Sequence, residues 1–179
     1  KGTHAALRAL DHHWRVCEFI GPAYILRLDI SKYFFNIPHD QLIELVNRRL
    51  REPEIKRLVE TIVSSISTGA TPGAGIPIGN LTSQLFANIY QDQVDHFAKE
   101  HLGVQHYVRY MDDFAIFSNS KEQLRQWQEA IVIFLHGIGL ILNPTRTILS
   151  PASAGIGWLG FRVLRPGVRR LARRNVIRA

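Results

Sequence analysis

The chain has 179 residues, a formal net charge of +7, 46% hydrophobic and 21% charged residues, and a single cysteine. That balance excludes a disordered chain and a disulfide framework, and the length suffices for one domain with its own core. The basic excess suits a polyanion such as nucleic acid; no apolar run approaches the ~18 residues of a membrane helix and no signal-peptide pattern opens the chain, so no membrane partner is expected.

Residues 3–17 read as a helix, with Ala6, Leu7, Leu10, Trp14 and Cys17 on one face and Thr3 as its N-cap. Cys17 then reads as a core thiol. Gly21-Pro22 breaks the helix before a β-rich run over 24–30, which carries Asp29 near its C-terminal end. A tight bend is expected over 31–35. Asn36-Ile37-Pro38 opens a helix through Leu50, and Pro53 opens another to about residue 66. Residues 68–79, with four glycines and two prolines, read as a loop. A long helix follows over 80–99, ended by Gly103. Residues 107–118 read as a tight β-hairpin with Asp112 and Asp113 at its tip. Ser120 is placed to cap a helix over 121–136. Short strands are expected near 140–142 and 146–149, then a glycine-bearing strand over 155–163. The stretch 162–178 holds seven arginines; it reads either as a solvated basic face or as a track for phosphates. Strands alternating with long helices, plus one hairpin, predict an α+β fold with helices on one face of a mainly antiparallel sheet.

The hairpin tip is the oddity. A two-residue turn favours Asn-Gly or Asp-Gly, whereas this one offers two carboxylates and no glycine. Adjacent like charges between apolar strands repel unless a cation neutralises them. A divalent metal is the economical explanation, and oxygen-only ligands favour Mg²⁺. Asp29 is the third acid able to converge with them. Such a cluster could hold two ions roughly 3.5–4 Å apart for in-line attack at phosphorus. The competing reading is three ordinary surface aspartates.

These segments resemble the palm of the reverse transcriptases. Tyr110-Met111-Asp112-Asp113 is similar to the family's Y-x-D-D box, and the strand leading into Asp29-Ile30-Ser31-Lys32-Tyr33-Phe34 to its first catalytic motif. Gly75-Ile76-Pro77-Ile78-Gly79-Asn80-Leu81-Thr82-Ser83-Gln84 resembles the template-and-nucleotide loop and helix. Residues 140–147 and Trp158-Leu159-Gly160-Phe161 are similar to the next motif and to the primer-grip hairpin. The five motifs come in the family's order over residues 24–163.

The resemblance implies a right-hand polymerase palm, with a ferredoxin-like antiparallel sheet, as a single domain over 1–179 without the fingers motifs before it or the thumb after it. It implies RNA-directed DNA polymerase activity, with Asp29, Asp112 and Asp113 as catalytic residues. Two Mg²⁺ or Mn²⁺ ions would lie on these three and the Ile30 carbonyl. Phe34, Ile78, Gly79, Gln84 and Arg146 would meet the nucleotide, with the Phe34 ring excluding a 2′-hydroxyl. Gly75, Pro77, Asn80, Ser83, Tyr110, Met111, Trp158, Leu159 and Gly160 would meet primer and template. The implied partners are template RNA, primer or cDNA, and dNTPs.

Ile78 stands where many members carry Gln, and Gln84 where intron-type members usually carry Pro. The run then resembles the reverse transcriptases of diversity-generating retroelements, which copy adenines with errors and work with a small basic accessory protein. A cytoplasmic location in a bacterial or phage-encoded element goes with that branch; group II intron and retron relatives are the alternatives. Arg146 replaces a motif lysine proposed as proton donor, and arginine hardly deprotonates, so a charge role is expected there. An RNA-directed RNA polymerase, a non-catalytic nucleic-acid-binding palm and a cyclic-dinucleotide synthase are the rival readings; Phe34 argues against the first and the intact acids against the second.

Overall fold

The computed structural model describes residues 2–65 and 72–172. The chain divides into two units that alternate in sequence: Lys1–Asp29 with Ala98–Ala130 and Asn143–Ala179, and Ile30–Phe97 with Ile131–Leu142.

In the first unit, β1 (Tyr24–Asp29) is a central strand. It pairs antiparallel with β3 (Asp113–Ser118) on one side and β4 (Ile148–Pro151) on the other. β2 (Tyr107–Tyr110) pairs with β3 and completes the order β2-β3-β1-β4. β1 and β2 are both antiparallel to the β3 between them, hence parallel to each other, the split arrangement of ferredoxin-like sheets. Leu26, Leu28, Phe114 and Ile116 lie on one face, and Ile25, Ala115 and Phe117 on the other; all are buried. A strand buried on both sides needs such a near-continuous apolar run. The sequence predicted helices on one face. α1 (Thr3–Ile20) covers the Ile25 face, as expected for a helix packed on the sheet.

Leu7, Leu10, Trp14 and Cys17 recur at helical spacing along α1 and are fully buried. They join Ile25, Val108, Ala115 and Phe117 in one core cluster, with Trp14 6.2 Å from the Phe117 ring. Burial pushes the Cys17 thiol up to about 11, which makes it the expected inert core thiol. Thr3 is not the N-cap: Gly2 holds that position, and the Thr3 hydroxyl donates to the Tyr110 hydroxyl at 3.3 Å.

The stretch predicted as one strand followed by a basic tail is a three-stranded sheet, β5 (Ile156–Trp158), β6 (Phe161–Arg165) and β7 (Val168–Leu171). Leu159 and Gly160 turn between β5 and β6 with φ of 49° and 81°, the two positive values of a type I′ turn. Ile156, Trp158 and Val163 enter the same core cluster as α1. β7 was not legible because its inward residue, Arg169, is charged. Arg169 turns inward and pairs with Asp11 of α1, which explains a buried aspartate on an apolar helix face. Arg173, Arg174 and Arg178 lie outside the described residues. α6 (Lys121–Gly137) starts as predicted, with the Ser120 hydroxyl accepting from the Gln123 N–H at 3.2 Å.

In the second unit, Ile30 bridges to Leu142, and the predicted bend is a helical turn, α2 (Tyr33–Asn36). Lys32 has a φ of 45°, and the Asn36 amide donates to the Ser31 carbonyl at 2.9 Å, closing that turn. α3 (His39–Asn47) ends before Leu50, and α4 (Pro53–Ser64) carries its proline in the first turn, where the missing N–H costs nothing. Residues 66–71 of the predicted helix end and loop lie outside the description. α5 (Leu81–His96) buries Phe86, Ala87, Tyr90 and Val94 and continues as a π-helical turn, Phe97–His101. Among the described residues no helix is long and apolar enough to cross a membrane.

Candidate active site

Strand register builds the acidic site. Asp29 is the last residue of β1 and Asp113 the first of β3, and they stand directly opposite each other. Cβ atoms of such pairs lie about 4.5–5.5 Å apart, and like charges there repel. The register cannot slip, because one step would turn Ile25, Ala115 and Phe117 away from α1.

The sequence placed both hairpin acids at the tip. In the structure the two turn residues are Met111 and Asp112, between Tyr110 and its partner Asp113. Met111 alone has a positive φ, 56°, which is the φ signature of a type II′ turn, a position glycine usually fills. A methionine in this conformation stores backbone strain of the kind found at functional sites. The strained turn presents Asp112 beside the Asp29–Asp113 pair.

Two arginines answer the three carboxylates. Arg27 donates from Nε to Asp113 Oδ1 at 2.9 Å and from Nη2 to Oδ2 at 2.8 Å. This planar fork is the strongest geometry available to a guanidinium and a carboxylate. Arg146 makes one contact, Nη1 to Asp29 Oδ1 at 3.4 Å. It is held near Asp29 by the turn at Asn143, whose Oδ1 accepts from the Thr145 N–H at 3.1 Å and whose own N–H donates to the Asp29 carbonyl at 2.7 Å. The strand predicted over 146–149 begins only at Ile148, since this turn occupies the residues before it.

Burial pushes the Asp112 carboxyl above the usual carboxylate range; the neighbouring Asp29 adds to the rise, and Arg146 and Arg27 oppose it. Burial also raises Asp113, against the opposing fork from Arg27 and with help from Asp29 and Asp112. Among the described residues no three His, Cys, Asp or Glu side chains group as a ready-made metal cage. Both oxygens of Asp113 face Arg27. The donors that remain, Asp29 and Asp112, still fit a hard divalent cation. Mg²⁺ is commonly held by one or two carboxylates, with water and substrate phosphate completing the shell.

Tyr110 ends β2 and is half-buried with its hydroxyl beside Thr3. Trp158 was expected to touch primer or template, but its side chain is only 1% exposed in the core.

The second unit carries the other predicted residues. Ile30 is 1% exposed. Phe34 is half-buried, its ring edge-on to Tyr33 at 5.6 Å and its carbonyl accepting from the Ile76 N–H at 2.8 Å. Gly75 was predicted to approach the template, yet its N–H donates to the Ile37 carbonyl and its carbonyl meets His39 Nε2 at 2.6 Å. Ser83 was predicted to meet a nucleic-acid backbone, yet it is 1% exposed and faces inward on α5. Pro77 is half-buried, whereas Ile78, Gly79, Asn80 and Gln84 are exposed. Asn80 holds the N-cap position of α5 without a side-chain capping bond. Gly79 has a φ of 103° and open space around it, so its requirement is conformational, not steric.

Sequence reasoning missed Arg27. The available signal was alternation: two residues before Asp29, it had to share that residue's face.

Residues 6–163 match the family described as reverse transcriptase (RNA-dependent DNA polymerase). Among curated proteins, the chain is 24% identical to an uncharacterised 91 kDa protein in the cob intron of Schizosaccharomyces pombe, covering 82% of this chain and 25% of that one. It is 23% identical to the group II intron-encoded protein LtrA of Lactococcus lactis subsp. cremoris, covering 93% of this chain and 39% of LtrA. Among solved structures, telomerase from Candida albicans, in complex with a fragment of telomeric RNA, superposes with a TM-score of 0.74 at 13% identity, covering 97% of this chain and 34% of that one. The chain thus spans between a quarter and two-fifths of the length of these relatives. With the acids on paired strand ends and the family's motifs over nearly all of its length, the chain belongs to the reverse transcriptase family.

Proposed function

We propose that this chain is the catalytic core of an RNA-directed DNA polymerase, adding dNTPs to a primer 3′-hydroxyl on an RNA template. The observation that carries the reading is the register that sets Asp29 against Asp113, with Asp112 on a strained turn beside them. Reverse transcriptases generally use divalent metal ions. Here Asp29 and Asp112 would hold two Mg²⁺ or Mn²⁺, with Asp113 as the third carboxylate beside them. When bound, such ions activate a hydroxyl for attack and neutralise a triphosphate.

The chain's own residues do the rest. Asp29 and Asp112 supply fixed negative charge where cations must gather. Arg146 is 56% exposed, and arginine, a residue type that hardly deprotonates, suits a phosphate of the incoming nucleotide or the departing pyrophosphate. It is a poor proton donor for the same reason. Phe34 acts by bulk against a 2′-hydroxyl. Phe34→Ala is expected to reduce discrimination against rNTPs by roughly 10–100-fold, read as the ratio of kcat/KM for dNTP and rNTP. An unchanged ratio would remove Phe34 from that role.

The finer reading is error-prone copying in a diversity-generating retroelement, with a small basic accessory protein as partner and a cytoplasmic location. Ile78 supports it: the side chain is 66% exposed and aliphatic, so it offers no polar contact to a base pair. The second reading is a group II intron-type enzyme, favoured by the intron-encoded relatives. Single-dNTP extension by the full-length parent protein separates the two. Frequent misincorporation opposite template adenine is expected on the first reading, and accurate copying on the second.

A further inference from the structure

Arg27 and Arg146 both face the acidic site, yet they are held very differently. Arg27 meets both oxygens of Asp113 through a fork, and the two side chains are 18% and 14% exposed. Arg146 meets one oxygen of Asp29 at 3.4 Å, and its side chain is 56% exposed. An exposed single contact exchanges readily with water or a competing ion. A forked, largely buried pair does not, because removing either charge strands the other in a poorly solvated place. Asp112 has no ion pair among the described residues.

Backbone geometry favours the fork. Arg27 and Asp29 alternate along β1 and project from the same face. Arg27 stands opposite Ala115, whose small side chain leaves room for the guanidinium to reach diagonally to Asp113. β1 is paired on both edges, with β3 and β4, so neither register nor reach is free to change.

We propose that Arg27 is a positioning residue that holds Asp113 out of the metal-binding set, leaving Asp29 and Asp112 as the carboxylates that take the divalent ions. This rests on the polymerase reading above and refines it: the third acid of the site serves as the anchor of Arg27, not as a ligand. Two carboxylates suffice for Mg²⁺ or Mn²⁺ when phosphates and water supply the remaining oxygens. Asp29 exchanges Arg146 for a cation; Asp113 keeps its arginine. Arg146, once displaced, is free for phosphate.

The test is Mn²⁺ binding by the full chain without nucleotide, read as loss of the free-ion signal in electron paramagnetic resonance. Asp112→Asn is expected to weaken binding about tenfold or more, as loss of a ligand does, and Asp113→Asn to weaken it distinctly less, since it removes no ligand and only leaves the Arg27 charge unpaired beside the site. Arg27→Met frees a carboxylate, so it is expected to tighten binding by about tenfold, and adding Asp113→Asn to it should restore the wild-type affinity. Arg27→Lys keeps the charge but loses the fork, and should tighten binding less, in the same direction. Should Arg27→Met fail to give a folded far-UV spectrum, Arg27→Lys and Asp113→Asn carry the test. Equal weakening by Asp113→Asn and Asp112→Asn overturns the proposal and leaves the polymerase reading intact, as does any Arg27 variant that folds and binds Mn²⁺ no tighter. A wild-type chain that binds no Mn²⁺, alone or with a dNTP added, overturns both.

Discussion

Asp112→Asn is expected to stop primer extension, lowering kcat on the order of 10³-fold or more, because it removes charge at the point where cations must collect. The same substitution is expected to raise the thermal midpoint of the metal-free protein at neutral pH. Burial and Asp29 raise the Asp112 pKa above its unfolded value. Folding therefore favours the protonated form, and that contribution is full below the unfolded pKa and lost as pH rises through the folded one. At neutral pH the ionised carboxylate is a net cost, which a neutral amide of the same shape avoids. The two effects have opposite signs, so a drop in activity with a higher midpoint separates chemistry from misfolding. The stability gain should fade as the pH is lowered towards the acid range, where Asp112 is protonated anyway. A lower midpoint at neutral pH would contradict this account of the site's electrostatics.

Trp14→Ala carries the largest expected effect on stability. Trp14 is fully buried on α1, in one cluster with Ile25 and Phe117 of the four-stranded sheet and with Ile156, Trp158 and Val163 of the three-stranded one. Its indole N–H has no hydrogen-bond partner among the described residues, so the ring contributes through packing alone. Truncating such a ring costs about 3–5 kcal/mol, as lost transfer energy plus a cavity the surroundings only partly fill. Denaturant unfolding should show that fall through the midpoint, with the slope unchanged. A loss under about 1 kcal/mol would mean the helix and the two sheets do not depend on one core.

The parts legible in the sequence were those that local pattern decides. β-rich residue types located β1 and the hairpin strands, 3–4 spacing located the buried stripe of α1, and a serine before a helical pattern located the cap at Ser120. The parts missed depend on partners far along the chain or on broken local rules. Turn chemistry favours glycine at the first turn position, so the hairpin tip was read as Asp112-Asp113 when it is Met111-Asp112. The forked pair of Arg27 and Asp113 spans 86 positions, beyond any local pattern. β7 was read as a tail because Arg169, its inward residue, carries a charge whose partner is Asp11. Ser83 and Trp158 were assigned to ligand contact by motif, and the core claimed both.

The most direct test of the central claim is primer extension on an RNA template by the full-length parent protein, with Mg²⁺ and all four dNTPs, run beside Asp112→Asn. The wild type is expected to make templated DNA in a reaction that disappears when Mg²⁺ is chelated and is absent from the variant. Synthesis retained in Asp112→Asn, or a wild type that binds the primer–template and extends nothing, would contradict that claim.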